Sequence, residues 1–300
     1  MRSNHSKANI LAAGSILLWC FSGICFRKGS EIIQPMTYLS LITAIGVLTA
    51  IIIQKLQKKR ISRLFKMPLK VIIAGFLGIT VYTLFLATAF DLAKPEEIGL
   101  INLLNYLWPV WMVTLEILLI KSRVNKKIFI IGMILGFSGL LLTTRISTPL
   151  ELDNFLPHLL ALSGGVFWAF YSVLIKKWKI PEEQSGTAFH FSICALLALV
   201  IALFKGEFQL ISTVTPEAAF WIIFGGIGPV GIAYYLWELG IKKGSVSFIA
   251  SLSYFIPIGS SVLIGLVFTE SMTPGLIPGS ILIAAGAYFV KKALKEKVLN

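Results

Sequence analysis

"LNYLWPVW", residues 104–111, sits in the middle of a long apolar run. An asparagine, a tyrosine hydroxyl and a proline are costly away from water unless each freed polar group finds a partner. The surrounding chain shows that the setting is a bilayer. Of 300 residues 56% are hydrophobic and 14% charged, against roughly half apolar and a quarter charged in soluble domains. Apolar stretches recur at approximately 8–27, 35–54, 69–91, 96–119, 127–144, 157–176, 186–204, 216–239, 244–268 and 274–292. Each is long enough, as a helix, to cross a hydrocarbon core about 30 Å thick. In lipid the backbone must satisfy its own hydrogen bonds, and segments of this length do so as helices. The expected fold class is an all-α membrane protein with ten transmembrane helices, in contact with membrane lipid.

A formal net charge of +13 raises the question of nucleic acid. Position answers it. With the N-terminus in the cytoplasm, the inner segments hold Arg2, Lys7, the basic run between 55 and 70, Lys121, Arg123, Lys126, Lys127, Lys176, Lys177, Lys179, Lys242, Lys243 and the C-terminal lysines. The outer segments hold Arg27, Lys28, Lys94, Arg145 and Lys205. This bias places both termini in the cytoplasm, in a multi-pass protein of the plasma (bacterial inner) membrane. A nucleic-acid groove would need the charges on one surface, and here they are dispersed over separate loops. The first apolar stretch is too long for a signal-peptide core and no small-residue cleavage site follows it. Cys20, Cys25 and Cys194 fall within apolar stretches, with neither metal nor disulfide spacing. No cofactor or metal is expected.

Shifting the chain by 148 residues lays "YLWP" (106–109) over "YFIP" (254–257), Gly78 over Gly226 and Lys94 over Lys242. A shift of 149 sets Trp19 on Trp168 and Lys28 on Lys177. Two five-helix repeats follow, residues 1–148 and 149–300. Five is odd, so the second copy enters the membrane from the opposite side. Charge agrees: the basic run of 55–70 faces a counterpart around 205–217 that holds only Lys205. The basic 120–127 loop likewise faces 269–274, which carries Glu270 and no basic residue. Inverted repeats of this kind are a transporter architecture, with the solute held between the halves.

The stretch "GIAYYLWELGIKKGSVSFIASLSYFIPIGSSVLIGLVFTESMTPGLIPGSILIAAGAYF" (231–289) resembles an EamA domain of the drug/metabolite transporter superfamily. The likeness lies in the small-residue turn after helix 8, the Tyr-x-x-Pro of helix 9, the Glu before helix 10 and the Gly/Ala pattern of helix 10. The first half resembles the same domain more loosely, and "NYLWP" (105–109) is similar to the aromatic amino acid exporter (YddG-like) group. The resemblance implies a carrier of small organic solutes with helices 1, 3, 4, 6, 8 and 9 around a central cavity. Ile256 stands where the first half has Trp108, so the halves would not contribute equally.

Within helix 4, Asn102, Asn105, Tyr106, Pro109 and Glu116 share a stripe about 100° wide. Pro109 removes the hydrogen bond to the Asn105 carbonyl, and Pro257 does the same for Ser253. Matching proline interruptions in two halves point to a solute site. The expected lining is Asn102, Asn105, Tyr106 and Trp108 of helix 4, Ser253 and Tyr254 of helix 9, Trp168 and Tyr171 of helix 6, and Tyr82 of helix 3. Trp19 is a further candidate. Pro109 and Pro257 are expected as kinks. Glu116 is the acid clearly within a span, a candidate coupling residue or else paired near the cytoplasmic end. His190 reads as structural, and Glu238 as a boundary residue.

The function read from these residues is a secondary transporter, an exporter of neutral or zwitterionic metabolites such as aromatic or hydrophobic amino acids, working by alternating access. The alternative is an exporter of cationic amphiphiles leaning on Glu116. Anionic solutes would need Lys or Arg inside the spans. No nucleophile, paired-acid or metal constellation suggests an enzyme. With both repeats in one chain, a monomer suffices. Reporters that fluoresce only in the cytoplasm, fused after Leu64 and after Asn300, are expected to give signal, and one fused after Lys94 none. The reverse pattern would invert the topology.

Overall fold

The computed structural model describes residues 2–94, 97–121, 124–143, 155–181, 184, 186–207, 215–268 and 274–295. Every expected stretch is a helix long and apolar enough to span a membrane: α1 (Ser6–Gly29), α2 (Pro35–Leu56), α3 (Leu69–Leu92), α4 (Ile98–Ile120), α5 (Lys126–Thr143), α6 (Phe155–Lys177), α7 (Thr187–Phe204), α8 (Pro216–Lys243), α9 (Val246–Val267) and α10 (Leu276–Ala293). No strand occurs among the described residues. Arg145 and Glu270 lie outside them. Large apolar side chains such as Leu17, Ile52, Leu118, Leu196 and Ile277 are exposed, as a lipid-facing surface requires.

The principal contacts join helices of the first five to helices of the second five. α5 lies along α10, α2 along α7, α1 along α8, α3 and α4 along α6, and the middle of α4 against the start of α9. Apolar side chains gain little by leaving lipid for one another, so close backbone approach carries much of this packing. At the α5–α10 seam a Cβ on Gly139 would lie 2.5 Å from the Gly279 carbonyl, and one on Gly286 would lie 2.6 Å from that of Gly132.

The helical ladder is interrupted at defined places. α4 breaks at Tyr106–Leu107 and restarts at Trp108–Pro109, where the missing proline N–H falls in a first turn that has no use for it. α9 breaks likewise at Ser253–Tyr254, ahead of Pro257. α1 breaks at Cys20–Phe21. Wider π turns occupy Phe76–Val81 of α3, Glu116–Ile120 of α4 and Gly226–Ile232 of α8, the last containing Pro229.

One end of the bundle is tied shut around the α8–α9 turn. Ser247 donates to Glu116. Lys176 donates to the carbonyls of Ile241, at 3.3 Å, and Gly244. The Ser245 amide donates to Asn9 Oδ1 at 3.2 Å, and Lys242 reaches the carbonyls of Pro181 at 3.2 Å and Gln184 at 2.9 Å. At the other end, Lys205 bridges Asp91 at 2.5 Å and Glu207 at 3.2 Å. The hydrogen bond to Asp91 is the main cause of an ammonium pKa above the ordinary lysine value, with partial burial opposing it. Glu207 in turn accepts the Met36 amide at 2.9 Å and the Thr37 amide at 3.3 Å, capping the start of α2.

Gly139→Leu is expected to lower the thermal midpoint in detergent, by about 1–3 kcal/mol of overpacking or more. Gly228→Ala, whose new Cβ would meet its nearest atoms at 3.8 and 4.0 Å, is expected to melt close to wild type.

Candidate functional site

A cavity of about 890 Å³ lies between the halves. Its mouth reaches exposed Arg27 and Asp91 near the ends of α1 and α3, together with Pro35 at the start of α2. Its deep end is aromatic. Trp168 of α6, 2% exposed, stands at the centre. Around it are Trp19 at 5.8 Å between ring centroids, Tyr82 at 5.6 Å and nearly parallel, Tyr234 at 5.3 Å, and Trp108 at 6.4 Å. Edge-to-face and offset geometries of this kind suit the ring quadrupoles. Fully buried Trp237 closes the cluster from beneath, 5.0 Å from Trp19, 5.5 Å from Trp108 and 5.6 Å from Trp168.

The interrupted backbones hold this floor in place. Trp19 donates its indole N–H to the Pro229 carbonyl at 3.0 Å, within the π turn of α8. Trp237 donates to Ser172 Oγ at 3.2 Å. Gly165 lets the break in α4 press against α6: a Cβ there would lie 3.0 Å from the Asn105 carbonyl. Gly78, in the π turn of α3, leaves the room that the Tyr171 side chain fills.

The cavity wall is polar but uncharged. Asn105 lies beside the Tyr82 hydroxyl, and its buried Oδ1 has no hydrogen-bond partner among the described residues. Asn102 turns its amide back to the Ile98 carbonyl at 3.1 Å. Thr83 faces Tyr234, and Tyr106, Ser22, Thr43 and Ser260 complete the polar lining. Among the described lining residues the charged side chains are Arg27 and Asp91, both at the mouth.

Of the residues expected from sequence, the structure brings together Tyr82, Asn102, Asn105, Tyr106, Trp108 and Trp168 around this cavity, with Trp19 among them. The others lie elsewhere. Tyr254 packs over Gly136 in a cluster with Leu103, Leu140 and Ile283, between α9, α4, α5 and α10. Ser253 turns its hydroxyl to Ile249 at 3.0 Å. Its carbonyl, expected to be freed by Pro257, accepts the Ile256 amide at 3.0 Å instead, because the turn tightens there. Helix 9 therefore lines the cavity from beyond its break, with Ile256, Ser260 and Ile264. Pro109 and Pro257 mark the breaks without lining the cavity. Glu116 is buried at the tied end, receives Ser247 and feels the charge of Lys176.

Tyr171 is below the floor. Its hydroxyl donates to Glu238 at 2.5 Å. Glu238 lies near the end of α8, which runs to Lys243, and is 3% exposed. The sequence reading also passed over Tyr234 and Tyr38, which line the cavity. For Tyr234 a signal existed in its spacing, three residues before Trp237 on the same face. For Tyr38 none did.

The model of the EamA-like transporter family matches residues 6–145 and 155–291. The chain is 28% identical to the aromatic amino acid exporter YddG of Ancylobacter novellus over 95% of this chain and 96% of that protein. It is 24% identical to the Escherichia coli protein of the same name, over 94% and 96%. It is also 24% identical to the riboflavin transporter ImpX of Fusobacterium nucleatum, over 96% and 99%. A crystal structure of a protein 25% identical in sequence superposes with a TM-score of 0.84, covering 99% of this chain and 100% of that one.

Trp19→Phe keeps the ring in the cluster and removes its donor to Pro229. It is expected to cost about 1 kcal/mol of stability, read by thermal unfolding in detergent, whereas Trp19→Ala should cost several-fold more.

Proposed function

The chain belongs to the EamA-like transporter family, and on that footing we propose that it exports small neutral or zwitterionic metabolites, aromatic and hydrophobic amino acids first among them. The observation that carries this reading is the cavity itself. An aromatic floor of Trp168, Trp19, Tyr234 and Trp108 offers faces to an apolar or aromatic body. The uncharged wall of Asn105, Tyr82 and Tyr106 offers acceptors and donors to its polar end. About 890 Å³ is ample for an amino acid with its water. Three relatives named as aromatic amino acid exporters support the direction and the solute class.

Transport proceeds in this reading by alternating access. The cavity is open at the Arg27–Asp91 end and tied shut at the α8–α9 end, which is one half of such a cycle. The halves 1–148 and 149–300 act as inverted copies that rock about the floor, a reading supported by helix pairing that runs almost entirely between the halves. One chain holds the whole cavity, so a monomer is the working unit. Glu116, buried beside Ser247 and away from the cavity, gives a carrier of cationic amphiphiles no foothold in this conformation.

Purified protein in liposomes is expected to exchange labelled phenylalanine, tyrosine and tryptophan saturably. Asn105→Leu should cut that flux by about tenfold or more, the worth of one or two hydrogen bonds to a charged solute group, with unchanged melting. Flux of flavins or cationic dyes with none of aromatic amino acids would overturn the reading.

A further inference from the structure

We propose that Glu238 is the carboxylate that receives the ammonium group of the solute once the aromatic floor opens, giving the carrier a second, deeper binding site selective for primary amines. This rests on the amino acid reading given above and extends it past the cavity now open.

Position makes the case first. Glu238 follows Trp237, the underside of the floor, and is itself 3% exposed. A carboxylate buried within the helix bundle needs donors arranged around it. It receives the Tyr171 hydroxyl at 2.5 Å and the Gly186 amide, at the start of α7, at 3.4 Å. Tyr171 is three residues from Trp168 on the same face of α6, and their rings are 6.0 Å apart. A donor on Glu238 is thus built into the same helix face as the central ring of the floor.

The cavity above supplies the second argument. Its lining acid, Asp91, is at the exposed mouth and already holds Lys205. An ammonium group that has descended to Trp168 meets only neutral acceptors there, chief among them Asn105 Oδ1. The carboxylate nearest below is Glu238. Glu116 lies two helical turns beyond Trp108, held by Ser247 and close to Lys176. Glu97 and Glu207 cap backbone amides at the mouth end.

The third argument is the imidazole beside it. His190 is fully buried over Gly75 and beside Gly186, whose amide donates to Glu238. Neither ring nitrogen makes a well-formed hydrogen bond among the described residues, although the Val71 backbone is near. A neutral imidazole carries one acceptor nitrogen, so once the floor parts the two side chains would offer an ammonium a carboxylate and an uncharged acceptor together. The ammonium takes the place of the Tyr171 hydroxyl on the carboxylate. The exchange replaces a neutral donor by a charged one, the stronger of the two.

The test uses full-length protein in liposomes, with L-phenylalanine and its des-amino analogue 3-phenylpropionate competing from either face. In wild type, competition from the face of the tied end should favour phenylalanine by about tenfold or more, and competition from the cavity face should not. Glu238→Gln keeps the acceptor for Tyr171 and removes the charge. It should raise the KM for phenylalanine at the tied-end face about tenfold while shifting half-inhibition by 3-phenylpropionate less than twofold, and Glu238→Asp should retain the amine preference. Equal loss for both compounds, or no amine preference at that face in wild type, would overturn this inference and leave the proposed function standing. Absence of any phenylalanine flux in wild type would overturn both.

Discussion

A backbone crossing hydrocarbon must satisfy every amide and carbonyl within the protein, and this constraint organises the molecule. Among the described residues, ten membrane-length helices obey it by their own ladders. The informative places are where a ladder is interrupted. The breaks in α1, α4 and α9 and the π turns of α3 and α8 lie on helices that line the cavity, beside the continuous α2, α6 and α7, while the continuous α5 and α10 do not line it. Each interruption hands polar groups to the interior. Pro229 gives its carbonyl to Trp19, and the break in α4 leaves Asn105 facing the cavity with an unspent side-chain oxygen. Irregular backbone at membrane depth is tolerated where it lines a cavity, and here the helices with breaks at Cys20–Phe21, Tyr106–Leu107 and Ser253–Tyr254 all contribute to its wall.

The second organising element is the asymmetry between the ends. Around the α8–α9 turn, side chains from α1, α4 and α6 all reach for backbone or hydroxyl groups within residues 241–247. The mouth end has the Asp91–Lys205–Glu207 chain, partly in solvent, where screening leaves such pairs little net strength. Between the ends stands the aromatic floor, which excludes water by packing. Buried polar contacts on one side and an open mouth on the other make one face firm and the other ready to receive solute.

Much of this was legible in the chain because hydrocarbon thickness is a hard ruler for apolar runs, which is why the spans were found to within a few residues. The polar stripe of helix 4 marked part of its inward face: Asn102, Asn105 and Tyr106 line the cavity, while Pro109 and Glu116 of the same stripe do not. The same reasoning misplaced Tyr254. A tyrosine one turn before a proline is compatible with a cavity or with a glycine opposite, and Gly136 supplied the latter. Glu238 lies close to the end of α8, as its sequence position suggests, and what the sequence does not show is its burial under Tyr171 and against Gly186. α9 begins at Val246, almost immediately after α8 ends. Trp19, Tyr234 and Tyr38 are aromatic side chains in apolar runs, where nothing local separates a ring that lines a cavity from one that packs.

The floor also has an optical consequence. Trp19, Trp108, Trp168 and Trp237 hold their indoles in a network of centroid separations between 5.0 and 6.4 Å at interplanar angles from 31° to 88°. Transition dipoles that close and that ordered couple as one chromophore and share excitation. The closed floor therefore carries its own near-ultraviolet circular-dichroism band. Any motion that parts α6 from α8 must dissolve that band, so the cluster that bars the way also signals, without an added label, when the way opens.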